Sequence, residues 1–232
     1  MGFCYSLDWN LPGAIIHAET QKIATEAKKL RAELLTYGRS HGVGAGFPAP
    51  QKRAIRRLFV QLHREIDLLQ KEMSFSDAFD LELMTYDDDR RRLELIDEIR
   101  DGKPARRLST LWFPFGLGLA GACFKQGDAP HFYYRTLVDE KKLGPEYYLD
   151  TGQTKAHKGM VSIPLVHPGW YGPSQGETIE PSQLCIGVMN IGFEDEPEWL
   201  NAIRTANDLE VVKLRAACQN MCDQICLQLG SA

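Results

Sequence analysis

Apolar residues recur every third or fourth position over residues 13–38. Ile16, Ile23, Leu30 and Tyr37 mark the heptads, Thr20, Ala27 and Leu34 fill the intermediate positions, and Lys, Glu and Arg occupy much of the rest. Such a seam predicts a helix that closes at Gly38 and packs in a coiled coil or on its own domain. The stretch 40–50 is rich in Gly and Pro and reads as a linker. A second helix follows from Pro50 to Met73, with Ile55, Leu58, Phe59, Leu62, Ile66 and Leu69 on one stripe. The period then changes. Residues 78–86 and 91–99 alternate apolar and polar, with Asp87, Asp88 and Asp89 between them, which predicts a hairpin. The acidic residues Glu94, Asp97 and Glu98 on the hairpin strand are expected to face solvent. Residues 109–127 read as a loop-rich strand and 139–150 as a short helix and loop. Residues 160–166 and 184–193 read as buried strands, and Pro197 to Leu229 as one long helix carrying Val211, Leu214, Cys218, Met221, Ile225 and Leu229. Strands framed by helices predict an α+β domain with helices on one face of a sheet.

Length and charge narrow the possible partners. The 232 residues, 44% hydrophobic and 25% charged, suit a globular domain with a helical extension. A net charge of −4 lacks the broad basic surface of a nucleic-acid binder, leaving only the local clusters Lys52–Arg57 and Arg100–Arg107. No apolar run is long enough for a membrane span. The six cysteines form no C-x-x-C pair, and a chain with its own core needs no disulfide framework, so the expected setting is reducing and cytoplasmic. Cys218, Cys222 and Cys226 stand four apart on one helical face and are expected to be packed thiols.

Four segments in order carry a family resemblance. They are the hairpin at 78–99, GLAGACFKQGDAPHF at 118–132, HKGMVSIPLV at 157–166 and LCIGVMNIGF at 184–193. Together they resemble the GAF domain, a sensory and regulatory small-molecule-binding family. The resemblance covers residues 50–229, so the chain divides into an extension and linker (1–48) and a GAF-like domain (49–232). It implies an antiparallel or mixed sheet of five or six strands. The terminal helices would lie on one face, with a pocket under loops on the other. The implied function is binding of a small molecule, of unspecified identity, with signalling through terminal helices. A homodimer through helices 13–38, 50–73 and 197–229 is expected with it.

Pocket-facing residues under this resemblance are Trp112, Phe115, Cys123, His131, Phe132, Tyr134, Arg135, Tyr147, Tyr148, His157, Lys158 and Ser162. Their mixture of aromatic walls and a few polar fixings is the usual build of a ligand site. No Cys-His dipeptide marks a covalent bilin, and the six histidines show no metal-ligand spacing. No nucleophile elbow, Walker loop or dinucleotide fingerprint occurs, so a binding domain is expected rather than an enzyme. Two other readings remain: a scaffold whose pocket is filled by its own aromatics, and a redox enzyme using Cys123 with Cys185.

Overall fold

The computed structural model describes residues 13–41, 47–100, 102–104, 111–127, 131–134, 159–169, 180–193, 198–199, 202 and 209–230. Among the described residues five helices and seven strands are formed: α1 Gly13–Arg39, α2 Ala49–Glu72, β1 Asp80–Asp87, β2 Arg92–Arg100, β3 Lys103–Pro104, β4 Trp112–Pro114, α3 Gly118–Gln126, β5 His131–Tyr134, β6 Gly159–Val166, α4 Pro181–Leu184, β7 Cys185–Phe193 and α5 Leu209–Gly230. The sheet runs β3-β2-β1-β7-β6-β5, with β4 also beside β2. Every pairing is antiparallel. The α+β class and the predicted hairpin are therefore present, with the two short strands β3 and β4 added at the β2 edge.

α1, α2 and α5 share one apolar cluster with one face of the sheet. α2 contributes Ile55, Phe59, Leu62 and Ile66, each at most 1% exposed. Burial on that scale stabilises by about 1.5–3 kcal/mol per side chain. α2 and α5 run antiparallel: Gln51 Nε2 donates to Gln228 O at 3.0 Å near one end, and Lys213 Nζ meets Glu72 Oε2 at 3.7 Å near the other. Cys218, Cys222 and Cys226 are buried in the same cluster. Burial pushes the Cys218 thiol up, and the contact with Cys226 together with burial does the same for Cys222. Of the long helix expected from Pro197, the stretch 203–208 lies outside the described residues, and the helix described begins at Leu209.

The seam of α1 turns inward. Ala27, Leu30, Leu34 and Tyr37 are buried, the last three in the cluster with Leu81, Leu83, Ile96 and Ile186 of the sheet. Its spacing therefore serves the fold of its own chain. Gly38 does not stop the helix, which continues to Arg39. A Cβ there would sit 2.7 Å from Ile96 Cγ2, so the glycine allows close approach to β2. Arg31, 5% exposed, donates to both Asp88 carboxylate oxygens at 2.9 Å and to the Cys185 carbonyl at 2.8 Å. Arg39 pairs with Asp87 Oδ2 at 2.9 Å. The aspartates of the hairpin tip are thus an anchor for α1, rather than only a polar turn.

The second apolar cluster lies on the opposite face. Met84, Tyr86, Leu93, Leu95, Phe113, Val166 and Val188 of the strands meet Ala120, Cys123 and Phe124 of α3. Residues 118–126, read from sequence as part of a loop-rich strand, are helical. Gly118 through Phe124 are all buried, so no exposed polar face gives the segment a helical period to read.

Candidate functional site

Asp97 and Glu98 do not face solvent: they are 0% and 1% exposed. The hairpin register slips between Leu83 and Met84, so Asp97 opposes Leu83 while Leu95 opposes Met84. This bulge leaves Ile96 unpaired and turns Asp97 to the helix face and Glu98 to the other. With both faces covered, neither carboxylate reaches water.

On the helix face Asp97 accepts a hydrogen bond from the Tyr37 hydroxyl and lies 4.0 Å from the Arg56 guanidinium. Burial pushes its carboxyl up, against the opposing pull of Tyr37 and Arg56. His41 packs edge-on to Tyr37, with Nδ1 3.1 Å from Arg56. Burial, then Lys52 and Arg56, bring the His41 pKa down to about 4. A histidine held neutral favours the fold above the unfolded value of about 6.5, and that stability is lost as pH falls from there toward 4. Arg56 is partly exposed and screened, so the expected loss is about 1–2 kcal/mol. Urea titrations of the protein and of His41→Asn at pH 7 and pH 4 check this. The substituted protein should lack that share of the acid destabilisation, and an equal loss in both would count against it.

On the opposite face the register sets polar residues in one row. Glu98 opposes Glu82, Glu82 opposes Asn190, Asn190 opposes Ser162, and Ser162 opposes His131. Ser162 Oγ donates to Asn190 Oδ1 at 2.6 Å, and Asn190 Nδ2 donates to Glu82 Oε2 and Met84 Sδ, each at 3.3 Å. Glu98 accepts from Arg100 Nε. Cys123 Sγ reaches in from α3 and donates to the Ser162 carbonyl at 3.3 Å. Ser162 and Asn190 are 0% exposed and Glu82 is 6% exposed. Burial raises the Glu82 carboxyl to about 7, with Glu98 and Asp80 adding to the rise and Asn190 opposing it. A continuous polar row inside a sheet costs desolvation that an apolar row would not.

Of the expected pocket residues, the structure brings Cys123 and Ser162 together, with His131 at the next register position. Phe132 and Tyr134 lie on the same edge strand, opposite Val161 and Gly159. Phe115 stands apart, 5.6 Å from the Tyr86 ring and 6.2 Å from Phe124. Trp112 is 37% exposed, opposite Glu94, with the Arg92 guanidinium 5.0 Å over its ring. It serves the sheet edge rather than the row. Arg135, Tyr147, Tyr148, His157 and Lys158 lie outside the described residues. Sequence reasoning missed Glu82, Asn190 and Glu98. Their signal was polar residues alternating in strands whose sheet is covered on both faces.

No family model and no curated protein matches this chain. Several solved structures are similar to it at low identity, three of them as follows. The GAF domain of Acinetobacter phosphoenolpyruvate-protein phosphotransferase is 12% identical, with 80% of this chain and 98% of that one covered and a TM-score of 0.45. The corresponding GAF domain from Coxiella burnetii is 15% identical, over 90% and 95%, at 0.43. Free methionine-R-sulfoxide reductase from Neisseria meningitidis, solved with its substrate, is 13% identical, over 82% and 98%, at 0.42. The chain is similar to GAF domains. At these scores the likeness adds nothing to what strand order and helix placement already show.

Proposed function

We propose that this chain is a GAF-type sensory domain that binds a small molecule over the Glu82–Asn190–Ser162 row and reports it through its helices. The observation that carries the reading is the row itself. Hydrogen-bonding groups gathered on one buried sheet face suit a ligand with polar groups of its own. β6 and β7 supply the link to the helices. Ser162 and Asn190 face the row, while their neighbours Ile163, Met189 and Ile191 pack in the cluster that holds α5. A ligand that moves these strands moves the floor on which α5 rests.

The reading is one of binding, not catalysis. Cys123 and Cys185 are 0% exposed, and each thiol points at a carbonyl, Cys185 Sγ at Gly127 O at 3.9 Å. Reactive cysteines need an exposed, electropositive setting. Buried thiols also suit the cytoplasmic setting expected from sequence.

Native mass spectrometry with an absorption spectrum on the same sample tests the proposal. A small molecule retained by the protein, and lost in a folded Asn190→Leu variant, supports it. An empty protein whose melting temperature ignores a panel of nucleotides, amino acids and tetrapyrroles would favour the scaffold with a filled pocket.

The dimer belongs to this reading too, but without α1, whose seam is used internally. Leu68 of α2 and Leu209 and Val212 of α5 are 58%, 60% and 56% exposed near the joined ends of those helices. Sedimentation velocity should show a dimer that Leu68→Glu with Val212→Glu converts to monomer at unchanged melting temperature. A monomeric parent protein would sink the idea.

A further inference from the structure

Val166 ends β6, the strand that carries Ser162 of the row. The register with β7 slips there: Leu165 opposes Gly187 and Val166 opposes Cys185, which leaves Ile186 over as a bulge. On its other side β6 is paired with β5 only as far as Ser162, among the described residues. Beyond that point a side chain of α5 takes the strand's place. Val166 N donates to Gln219 Oε1 at 3.1 Å, and Gln219 Nε2 donates to Val166 O at 2.8 Å. A residue that gives and receives both bonds in this way is what an antiparallel neighbour strand supplies.

The amide cannot turn over. Gln219 Nε2 also donates to Asp223 Oδ1 at 2.7 Å, one turn along α5, and a flipped amide would aim its oxygen at that carboxylate. The Cys222 thiol adds a weak contact with the same Val166 carbonyl, at 4.0 Å. Apolar packing already holds α5 to the sheet through Leu214, Met221 and Ile225. Such packing is non-directional, whereas the clamp fixes one point of α5 to one residue of β6. The bulge is gripped from its other sides as well. The Cys185 carbonyl accepts from Arg31 of α1, and a Cβ on Gly127, which closes α3, would lie 2.9 Å from Cys185 Sγ. α3 in turn reaches the row, through Cys123 Sγ and the Ser162 carbonyl.

We propose that Gln219 is the positioning residue that conveys the state of the polar row to α5. The proposal takes its purpose from the sensory reading and names the link that reading needs. A bulge is the part of a strand least constrained by its ladder, so a small shift of β6 would be absorbed at Val166 if nothing tied it. Tied by Gln219, the shift is passed to α5. Ser162 and Val166 are four residues apart on one strand, about 13 Å. Substitutions at that separation ordinarily act independently, so a dependence between them requires a connection of this kind.

Amide hydrogen exchange tests the proposal without any ligand, so its failure and a failure of small-molecule binding are read separately. Ser162→Ala removes the bond to Asn190 Oδ1 and so perturbs the row. It is compared with the parent protein, with Gln219→Met, and with the two combined, at neutral pH. α2 is the internal reference: it packs in the same apolar cluster as α5, so a general loss of stability would speed both helices alike. In the parent background Ser162→Ala should speed exchange in α5 over α2 by about fivefold or more, the low end of ordinary coupling between sites. In the Gln219→Met background the same substitution should change α5 and α2 alike. If Gln219→Met proves unfolded by circular dichroism, Gln219→Glu replaces it. That side chain still accepts from the Val166 N–H but cannot donate to its carbonyl, and the excess in α5 should fall by at least about half. Equal change in α5 and α2 in the parent background overturns the proposal. So does an excess in α5 that survives intact without the Gln219 amide.

Discussion

Gly187→Ala is expected to cost about 3–5 kcal/mol, enough to unfold a domain of ordinary stability. Gly187 sits in β7, at the centre of the sheet, where it opposes Thr85 of β1 and Leu165 of β6. A Cβ there would lie 2.2 Å from the Met84 carbonyl oxygen and 3.3 Å from its carbon. The obstacle is backbone of a paired central strand, not the end of a movable side chain. Relief would require β1 and β7 to part, breaking their ladder and disturbing the Asn190–Glu82 contact three residues along. Gly230→Ala is the matched control, since nothing lies within 4 Å of its added carbon. Urea denaturation at neutral pH compares the two. A Gly187→Ala protein within about 1 kcal/mol of the parent would show that the strands are not held as described.

Glu82→Gln is expected to stabilise the protein, and only at higher pH. Burial raises the Glu82 carboxyl from 4.5 to about 7. Below pH 4.5 the folded and unfolded chains both hold the proton, and the group costs nothing. Between 4.5 and 7 the unfolded chain releases its proton while the folded one keeps it, so stability falls as pH rises. Above 7 the penalty is complete, at about 3 kcal/mol. Glutamine carries no such penalty, and its amide oxygen still accepts from Asn190. The gap between variant and parent should therefore be near zero at pH 4 and open to about 3 kcal/mol at pH 8. Chemical denaturation at both values measures it. A gap independent of pH would mean that Glu82 is ionised and satisfied in the folded protein.

Legibility in the sequence followed periodicity. The hairpin was plain because Leu81, Leu83 and Leu93, Leu95 alternate around three aspartates. The stripe of α2 was plain for the same reason, four buried apolar residues at helical spacing. The seam of α1 was visible, but its partner was not: a heptad spacing states that a face is buried, not against what. α3 hid because a small helix buried on nearly every side has no polar face to betray its turn. The polar row hid through a tacit assumption. Glu98 was read as solvated because alternating strands usually leave one face wet. In a sheet sandwiched on both sides, polar members of the alternation are the ones to examine first. The bulge at Ile96 compounded the error, since it placed Asp97 and Glu98 on faces that simple alternation does not give.

The clasp formed by Arg31 and Arg39 bears on where this unit begins. A boundary drawn at the Gly/Pro linker would discard Leu30, Leu34 and Tyr37, which cover Leu81, Leu83 and Ile96. It would also strip Asp87, 4% exposed, of its Arg39 partner and leave it, among the described residues, Arg90 alone, at 3.7 Å. α1 is therefore packed as part of the same unit as the sheet, and a cut at residue 48 would carry away half of a hydrophobic joint.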